Sequence, residues 1–527
     1  MNIRIRFFVG LCVLASWISA QITGVAYTVT VKADVLDRTF VSMTVSGTAA
    51  EGVSIEMPAW SPGAYELRNY WKLLRNVEAT DADGKTVAVT HPSDVRWTAA
   101  PAKMPITFSY DRLEPASGLF GAEGTKPRSG KREHVAFNPT DTYAYVVDGK
   151  QAPCTLKLVV PDGWKHDVPL APGNGPGVYV APDYDTLADA TVEMGKLRIH
   201  TFMVGGIRYT LTLDRDDPKF PMESVENLLR PMIRHSIGMM GGTAPFERYS
   251  FQMHEGPGYG LEHLSSCTIA VPYFLLRQAP GQFDTLFAHE FFHLWNVKRI
   301  RPKVLGPFDY TGPCRTKHLW LSEGVTDYYA DLICWRTGIT KDEVFRQNLL
   351  GEIRRLQSNP QRLKETVAAA SMSAFDRGYS GLSTLDYYNK GKLIGLCLDL
   401  HIRRETENRR SLDDVMRDLY AAYGLPKPGF GEDELFGAIS KSAGVDVTPQ
   451  LSKWVDGMDE LPLVEMLATV GWNLEKRAAA PAEGSESRRR RPRDSWSLTP
   501  MPVTTKEHVD AFNAWKADPY TERVPRE

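Results

Sequence analysis

The segment Phe287-Ala288-His289-Glu290-Phe291-Phe292-His293-Leu294-Trp295 carries two histidines four positions apart. On a helix, residues i and i+4 share one face, so both imidazoles reach the same point in space. Neutral imidazole suits Zn²⁺, and a tetrahedral catalytic site takes a third protein ligand and leaves one position for water. Glu290 is one step round the helix from His289. Its carboxylate therefore stands beside such an ion rather than on it, where it can take a proton from the bound water. The alternative for the same residues is a pair of histidines packed on an apolar helix.

A third ligand has to come from another element. The stretch Leu319-Trp320-Leu321-Ser322-Glu323-Gly324-Val325-Thr326-Asp327-Tyr328-Tyr329 opens an amphipathic helix, and Glu323 follows His293 by 30 residues. A carboxylate there completes a His₂Glu catalytic set. Asp327 lies one turn later on the same face. It can accept a hydrogen bond from the outer nitrogen of His289 and fix the tautomer of that ring. Surface helices commonly carry carboxylates, so this pair gains its meaning from the two histidines.

The elements that must position these residues divide the chain into four. Residues 1–20 place Arg4 and Arg6 before an apolar run, Phe7 to Leu14, and end Ile18-Ser19-Ala20. A basic start, a short apolar stretch and a small exit residue make a signal peptide, and the run is too short to span a membrane comfortably. Residues 21–215 read as a β-rich domain. Tyr27-Thr28-Val29-Thr30-Val31 and Val41-Ser42-Met43-Thr44-Val45 alternate as half-buried strands do, and Asp83-Gly84 and Pro161-Asp162-Gly163 mark turns. Residues 216–475 are α-rich. Val225, Leu228, Leu229, Met232, Ile233 and Ile237 set a helical period over 222–240, and strand-like breaks fall at 249–254 and 268–274. Residues 476–527 lose hydrophobic periodicity and include the run Arg488-Arg489-Arg490-Arg491-Pro492-Arg493, which reads as a solvated, flexible polar tail with room for one short helix within Met501 to Trp515. The fold class expected is therefore α+β and multidomain, a β-sandwich-like domain followed by a helical one.

Composition sets the remaining limits. With 527 residues, 43% hydrophobic and 24% charged, the chain is ordinary for a folded protein of about three domains. Lys and Arg number 62 against 64 Asp and Glu, a net charge of −2, which argues against a dedicated nucleic-acid binder. Of six cysteines, five remain if the first twenty residues are removed, too sparse and odd a set for a disulfide framework. Cys267, Cys334 and Cys397 read as small buried hydrophobes. Cys154 and Cys314 are the one pair with any prospect of bonding.

The strings HEFFHLWNVKRIRP and LWLSEGVTDYYADL resemble the glycyl aminopeptidase family of zinc metallopeptidases, within the gluzincin group. The resemblance covers roughly residues 21–475 and implies a thermolysin-like catalytic domain holding one Zn²⁺. It makes His289, His293 and Glu323 the zinc ligands and Glu290 the catalytic base. Gly258-Tyr259-Gly260-Leu261-Glu262-His263 resembles the family's Gly-x-Glu-His element, whose Glu binds the free α-amine of a substrate. Gly260 would let the backbone of Glu262 lie alongside an extended peptide. Tyr388-Asn389-Lys390-Gly391 resembles a Tyr-x-Lys-Gly segment whose tyrosine donates to the oxyanion, with Tyr387 as the close alternative and Lys390 structural. The turn Trp60-Ser61-Pro62-Gly63-Ala64-Tyr65 also fits the family, and on the residues alone it is a packed loop with aromatic anchors. Many members carry a PDZ domain after the helical part. About 50 polar residues follow Trp472 here, too few to fold as one.

The function expected is an exported zinc aminopeptidase, periplasmic or secreted. It would hydrolyse the first peptide bond of peptides with small first residues, Gly or Ala, through a zinc-bound water activated by Glu290. Its partner is a peptide substrate, with no nucleic acid and no stable membrane insertion after signal cleavage, and the residues do not fix the oligomeric state. Two other readings use the same residues. One is a zinc endopeptidase, which requires Glu262 to face away from the metal. The other is an inactive peptide-binding relative, disfavoured because His289, Glu290, His293 and Glu323 are all present.

Overall fold

A computed structural model of the chain describes residues 21–115, 132–377, 384–477 and 495–527. Residues 1–20, where a signal peptide is expected, with Cys12, and the arginine run at 488–493 lie outside the described residues. The molecule is a multidomain α+β protein, mostly β-sheet in its N-terminal part and helix-rich after it.

The N-terminal part is built on an eight-stranded sheet. Its centre runs Cys154–Val159, Gln21–Thr30, Arg38–Thr48, Ile106–Leu113 and Leu74–Thr80. Gln21–Thr30 pairs antiparallel with Arg38–Thr48, Val29 opposite Val41, and parallel with Cys154–Val159. The alternation in the sequence becomes alternating burial: Phe40's neighbours Thr39 and Val41 point inward, as do Met43 and Val45. A second sheet, with Val53–Glu56 paired to Arg96–Ala99, shares one core with the first. That core is completed from the helical part of the chain by Val297, Leu305, Phe308 and Tyr310.

The helix-rich part contains a five-stranded sheet in the order Arg198–Val204, Ile207–Leu213, Arg248–Glu255, Ser266–Val271, Tyr259–Glu262. Ile207–Leu213, Arg248–Glu255 and Ser266–Val271 are parallel, and Tyr259–Glu262 is an antiparallel edge strand. Every residue of Ser266–Val271 is buried, as expected for a strand covered on both faces. The helix Met222–Met239 buries Val225, Leu229, Met232 and Ile233, matching the period read in the sequence. The helix Asp284–Phe292 lays Phe291 on Tyr249 and Phe251, with ring centroids 5.1 and 5.9 Å away.

Two expectations about the chain's organisation are corrected. The boundary placed at residue 215 falls earlier, because Ile207–Leu213 hydrogen-bonds to Arg248–Glu255 and Arg198–Val204 to Ile207–Leu213, so both belong to the five-stranded sheet. Their alternation is the same as that of the β domain, and only their pairing partner assigns them. The second correction concerns the tail. Ser495–Pro500 pairs antiparallel with Trp472–Arg477, and the helix Lys506–Lys516 buries Trp515 completely among Trp335, Phe345 and Trp472. Tyr520 and Val524 are buried further on. The buried apolar residues of this segment are few and dock separately against other elements, while Val503 and Val509 stay exposed, so the segment shows no hydrophobic period of its own. All five described cysteines are buried free thiols, so Cys154 and Cys314 are not bonded.

A buried ionic joint ties the two parts together. Glu193, on the N-terminal side, accepts a hydrogen bond from His134 Nε2 at 2.6 Å, and its other oxygen lies 2.7 Å from His254 Nε2 on the five-stranded sheet. The second contact is a charge pair without hydrogen-bond alignment. Asp214 and Arg215 stand nearby and pair with each other at 2.8 Å. Burial alone would raise the Glu193 carboxyl, but the two imidazoles hold it below its usual 4.5. Burial opposes protonation of His254, but Glu193 lifts it above its usual 6.5.

Two outcomes follow from this architecture. The Glu193 contribution is lost as pH falls through its lowered folded value, and the His254 contribution is lost as pH rises through its raised one. Glu193→Gln should therefore cost about 3–5 kcal/mol near pH 5.5. It should also flatten the pH dependence of the urea midpoint on both sides. An unchanged profile would show that the joint carries no stability. Trp515→Ala should cost about 3–5 kcal/mol, seen as a lowered melting temperature, whereas a solvated tail would leave melting unaffected.

Candidate metal centre

The helix Asp284–Phe292 is apolar and nearly wholly buried, and it delivers His289 and then, at its C-terminal cap, His293 to one place. Their Nε2 atoms are 2.8 Å apart. His293 Nδ1 donates to the Asn296 carbonyl oxygen at 2.7 Å. Asn296 in turn donates through its side chain to the Leu321 carbonyl at 2.7 Å and to Thr326 Oγ1 at 3.0 Å. This chain of bonds ties the end of the histidine helix to the segment that carries Glu323. Asp327 Oδ1 lies 2.8 Å from His289 Nδ1, a charge contact without hydrogen-bond alignment.

Glu323 sits in a π-helical turn, Trp320–Val325, at the start of the helix Thr326–Arg336. Such widened turns recur at functional sites, where they re-aim a side chain. Glu323 Oε2 is 3.3 Å from His293 Nε2 and 3.7 Å from His289 Nε2. The three donor atoms lie within 4.8 Å of one another. With Nδ1 of each ring facing an acceptor, the favoured tautomers leave a lone pair on both Nε2 atoms. Two nitrogen lone pairs and a carboxylate oxygen then converge on one spot, which is a place for a cation. Two imidazoles and one carboxylate are a donor set that fits Zn²⁺.

Glu290, Glu262 and His293 form a second convergent group, their ligand atoms also within 4.8 Å of one another. Glu262 ends the edge strand Tyr259–Glu262, paired to Cys267. Gly260, on the same strand, runs over Glu290 so closely that a Cβ there would overlap the Glu290 carboxylate. Glu290 Oε2 and Glu262 Oε1 are buried, and neither has a hydrogen-bond partner among the described residues. Burial raises the Glu290 carboxyl to about 7, because the neighbouring imidazoles offset only part of its lost hydration.

These residues line a cavity of about 610 Å³ that Tyr388 also walls. The Tyr388 ring lies nearly parallel to that of His289, with centroids 6.2 Å apart. Tyr387 stacks on it at 4.9 Å, and burial with the nearby Glu323 carboxylate raises the Tyr387 hydroxyl well above its usual range. Both begin the helix Tyr387–Glu405, whose N-cap Asp386 accepts from the Tyr388 and Asn389 amides. That helix approaches the π-turn through two glycines: a Cβ on Gly324 would stand 2.5 Å from the Gly391 Cα. The structure thus brings together all the site residues expected from the sequence. Three others escaped that reading. Asn296 and Thr326 brace the two ligand-bearing segments, and Tyr65 of the N-terminal part donates to Glu323 Oε1 at 3.0 Å. Asn296 follows His293 by three residues and was open to discovery as a local partner. No sequence signal links Tyr65 to Glu323.

The profile described as M61 glycyl aminopeptidase matches residues 282–394, and that of the peptidase M61 N-terminal domain matches residues 26–196. The chain belongs to this family. Among solved structures, an aminopeptidase N family protein from Idiomarina loihiensis is 26% identical, with a TM-score of 0.78 over 86% of this chain and 80% of that one. An M1 zinc metallopeptidase from Deinococcus radiodurans shares the fold at 13% identity, with a TM-score of 0.54 over 84% of this chain and 96% of that one. Comparison with curated proteins returns no match. The protein is a metallopeptidase. No helix among the described residues is long and apolar enough to cross a membrane.

Gly260→Ala isolates the placement of Glu290. The added methyl must displace the carboxylate, and a displacement of about 1 Å can cost about 10²-fold in rate. The expected result is a folded, metal-replete variant with kcat reduced on that scale. Wild-type turnover would mean that Glu290 can move without consequence.

Proposed function

We propose that this metallopeptidase is an exported zinc aminopeptidase that removes small first residues, Gly or Ala, from peptides. The observation that carries the reading is Glu262, whose buried carboxylate shares the neighbourhood of Glu290 and His293. An exopeptidase must tell a charged amine terminus from an internal peptide bond, and a carboxylate held at the site does so by pairing with –NH₃⁺. The small-residue preference rests on family membership and the export on the sequence of residues 1–20.

In this reading His289, His293 and Glu323 hold one zinc ion, and Asp327 holds His289 in its ligating orientation. Zinc in that place supplies a Lewis acid and lowers the pKa of water to about 7. Glu290 takes a proton from the attacking water and passes it to the leaving amine nitrogen. The hydroxyl of Tyr388 donates to the carbonyl oxygen as charge develops there. Glu262 pairs with the substrate's α-ammonium and registers the first peptide bond over the centre. The strand Tyr259–Glu262 is the last of its sheet and stands where its backbone can run beside an extended peptide, and Gly260 lets that peptide approach.

Glu262→Ala distinguishes this reading from an endopeptidase. Its kcat/KM on aminoacyl amides with a free amine should fall at least 10-fold more than on their N-acetylated counterparts. Equal losses on both, or efficient cleavage of internal bonds by the wild type, would remove the amine-anchor assignment.

A further inference from the structure

The turn Trp60–Tyr65 belongs to the N-terminal part of the chain, yet it reaches the centre in two places. Trp60 Nε1 donates to the Asp309 carbonyl at 2.8 Å, and the Ala59 amide donates to the Tyr310 carbonyl at 2.8 Å. The Trp60 ring is completely buried, edge-on to Phe308 and Phe375. These contacts nail the turn to the catalytic part of the molecule. Within it, Gly63 has φ +94° and Tyr65 has φ +25°. A tyrosine with positive φ is a rare conformation that costs about 1–3 kcal/mol and persists only where the surroundings impose it.

Tyr65 is 3% exposed, and its ring sits edge-on to Phe375. Its hydroxyl donates to Glu323 Oε1 at 3.0 Å, while Glu323 Oε2 faces the two imidazole nitrogens. The two oxygens of one carboxylate are thereby given different work. A hydrogen bond to one oxygen stops rotation of the group and leaves the other oxygen presented to the histidines. Gly63 acts at the neighbouring carboxylate: a Cβ on it would stand 2.6 and 2.8 Å from the two oxygens of Glu262.

We propose that Tyr65 is a positioning residue for the metal centre, holding Glu323 to one-oxygen ligation, and that Gly63 keeps open the space Glu262 occupies. The β domain is then a structural part of the centre. The proposal rests on the reading of Glu323 as a ligand. Tyr65→Phe removes only the hydroxyl and keeps the ring packing, so the variant should fold. The zinc dissociation constant, measured by competition with a chromogenic chelator, should rise 10- to 100-fold, the usual effect of losing a partner that orients a ligand. The melting temperature of the metal-free protein should stay as in the wild type. Gly63→Ala should raise KM for unblocked aminoacyl amides at least 10-fold while leaving zinc affinity unchanged.

Wild-type zinc affinity in Tyr65→Phe would overturn the positioning role, as would a drop confined to the melting temperature of the metal-free form. An unchanged KM in Gly63→Ala would overturn the role of that glycine. Glu323→Ala separates the two layers of the argument. If it binds zinc as tightly as the wild type, the ligand assignment itself fails, and Tyr65 with it. If it loses zinc while Tyr65→Phe does not, only the role of Tyr65 is rejected.

Discussion

The site depends on holding three lone-pair donors within 4.8 Å of one another in a buried place. Left alone, such groups repel or find protons, so the surrounding protein must fix each one from behind. His293 is fixed by the Asn296 carbonyl, and the Asn296 side chain is fixed by Leu321 and Thr326 of the segment that carries Glu323. The two ligand-bearing segments therefore brace each other. A rigid apolar helix supplies the imidazoles, and a π-turn supplies the carboxylate. The Gly324–Gly391 contact then brings a third helix, with Tyr388 at its start, against the same π-turn.

The β domain enters this arrangement as more than a cover. Phe308 and Tyr310 of the catalytic part complete its core, and Trp60 bonds back to Asp309. Glu193 meets His254 across the same boundary. With these anchors the two parts cannot slide past each other without exposing aromatic surface or stranding a buried charge. That rigidity lets a turn at residues 60–65 set a contact with a residue more than 250 positions away.

What could be read in the sequence follows the range of each interaction. The His289–Glu290–His293 trio is local, and helical geometry alone places it. Glu323 is legible because a carboxylate opens the next amphipathic segment. Glu262 and Tyr388 came only through family resemblance, since nothing in their own neighbourhoods marks an amine anchor or an oxyanion donor. Tyr65 was visible as an aromatic anchor, but its partner was not, because the turn and Glu323 meet only through domain packing. Residues 198–213 fall in the stretch expected to be β-rich and do form strands, but these pair in the later sheet, since alternation reports burial and not pairing. In the last segment a short helix is legible, but its docking is not, for a related reason. Trp515, Tyr520 and Val524 are few and widely spaced, yet each fills a pocket made by others.

The charges of the centre bear on substrate choice. Glu262, Glu290 and Glu323 gather around His293, each buried, and two of them hold oxygens without a hydrogen-bond partner among the described residues. Asp327 adds a further carboxylate beside His289, and burial lifts Glu290 toward its neutral form, so the centre calls for cationic partners. On the proposed reading a divalent ion and the substrate's α-ammonium supply them. An internal stretch of peptide brings no ammonium. It would bury Glu262 against apolar atoms, and an unpaired buried charge costs more than the 1–3 kcal/mol of an unpaired neutral group. Preference for a free amine then arises chiefly from the penalty on the wrong substrate, with the attraction of the right one as the lesser part.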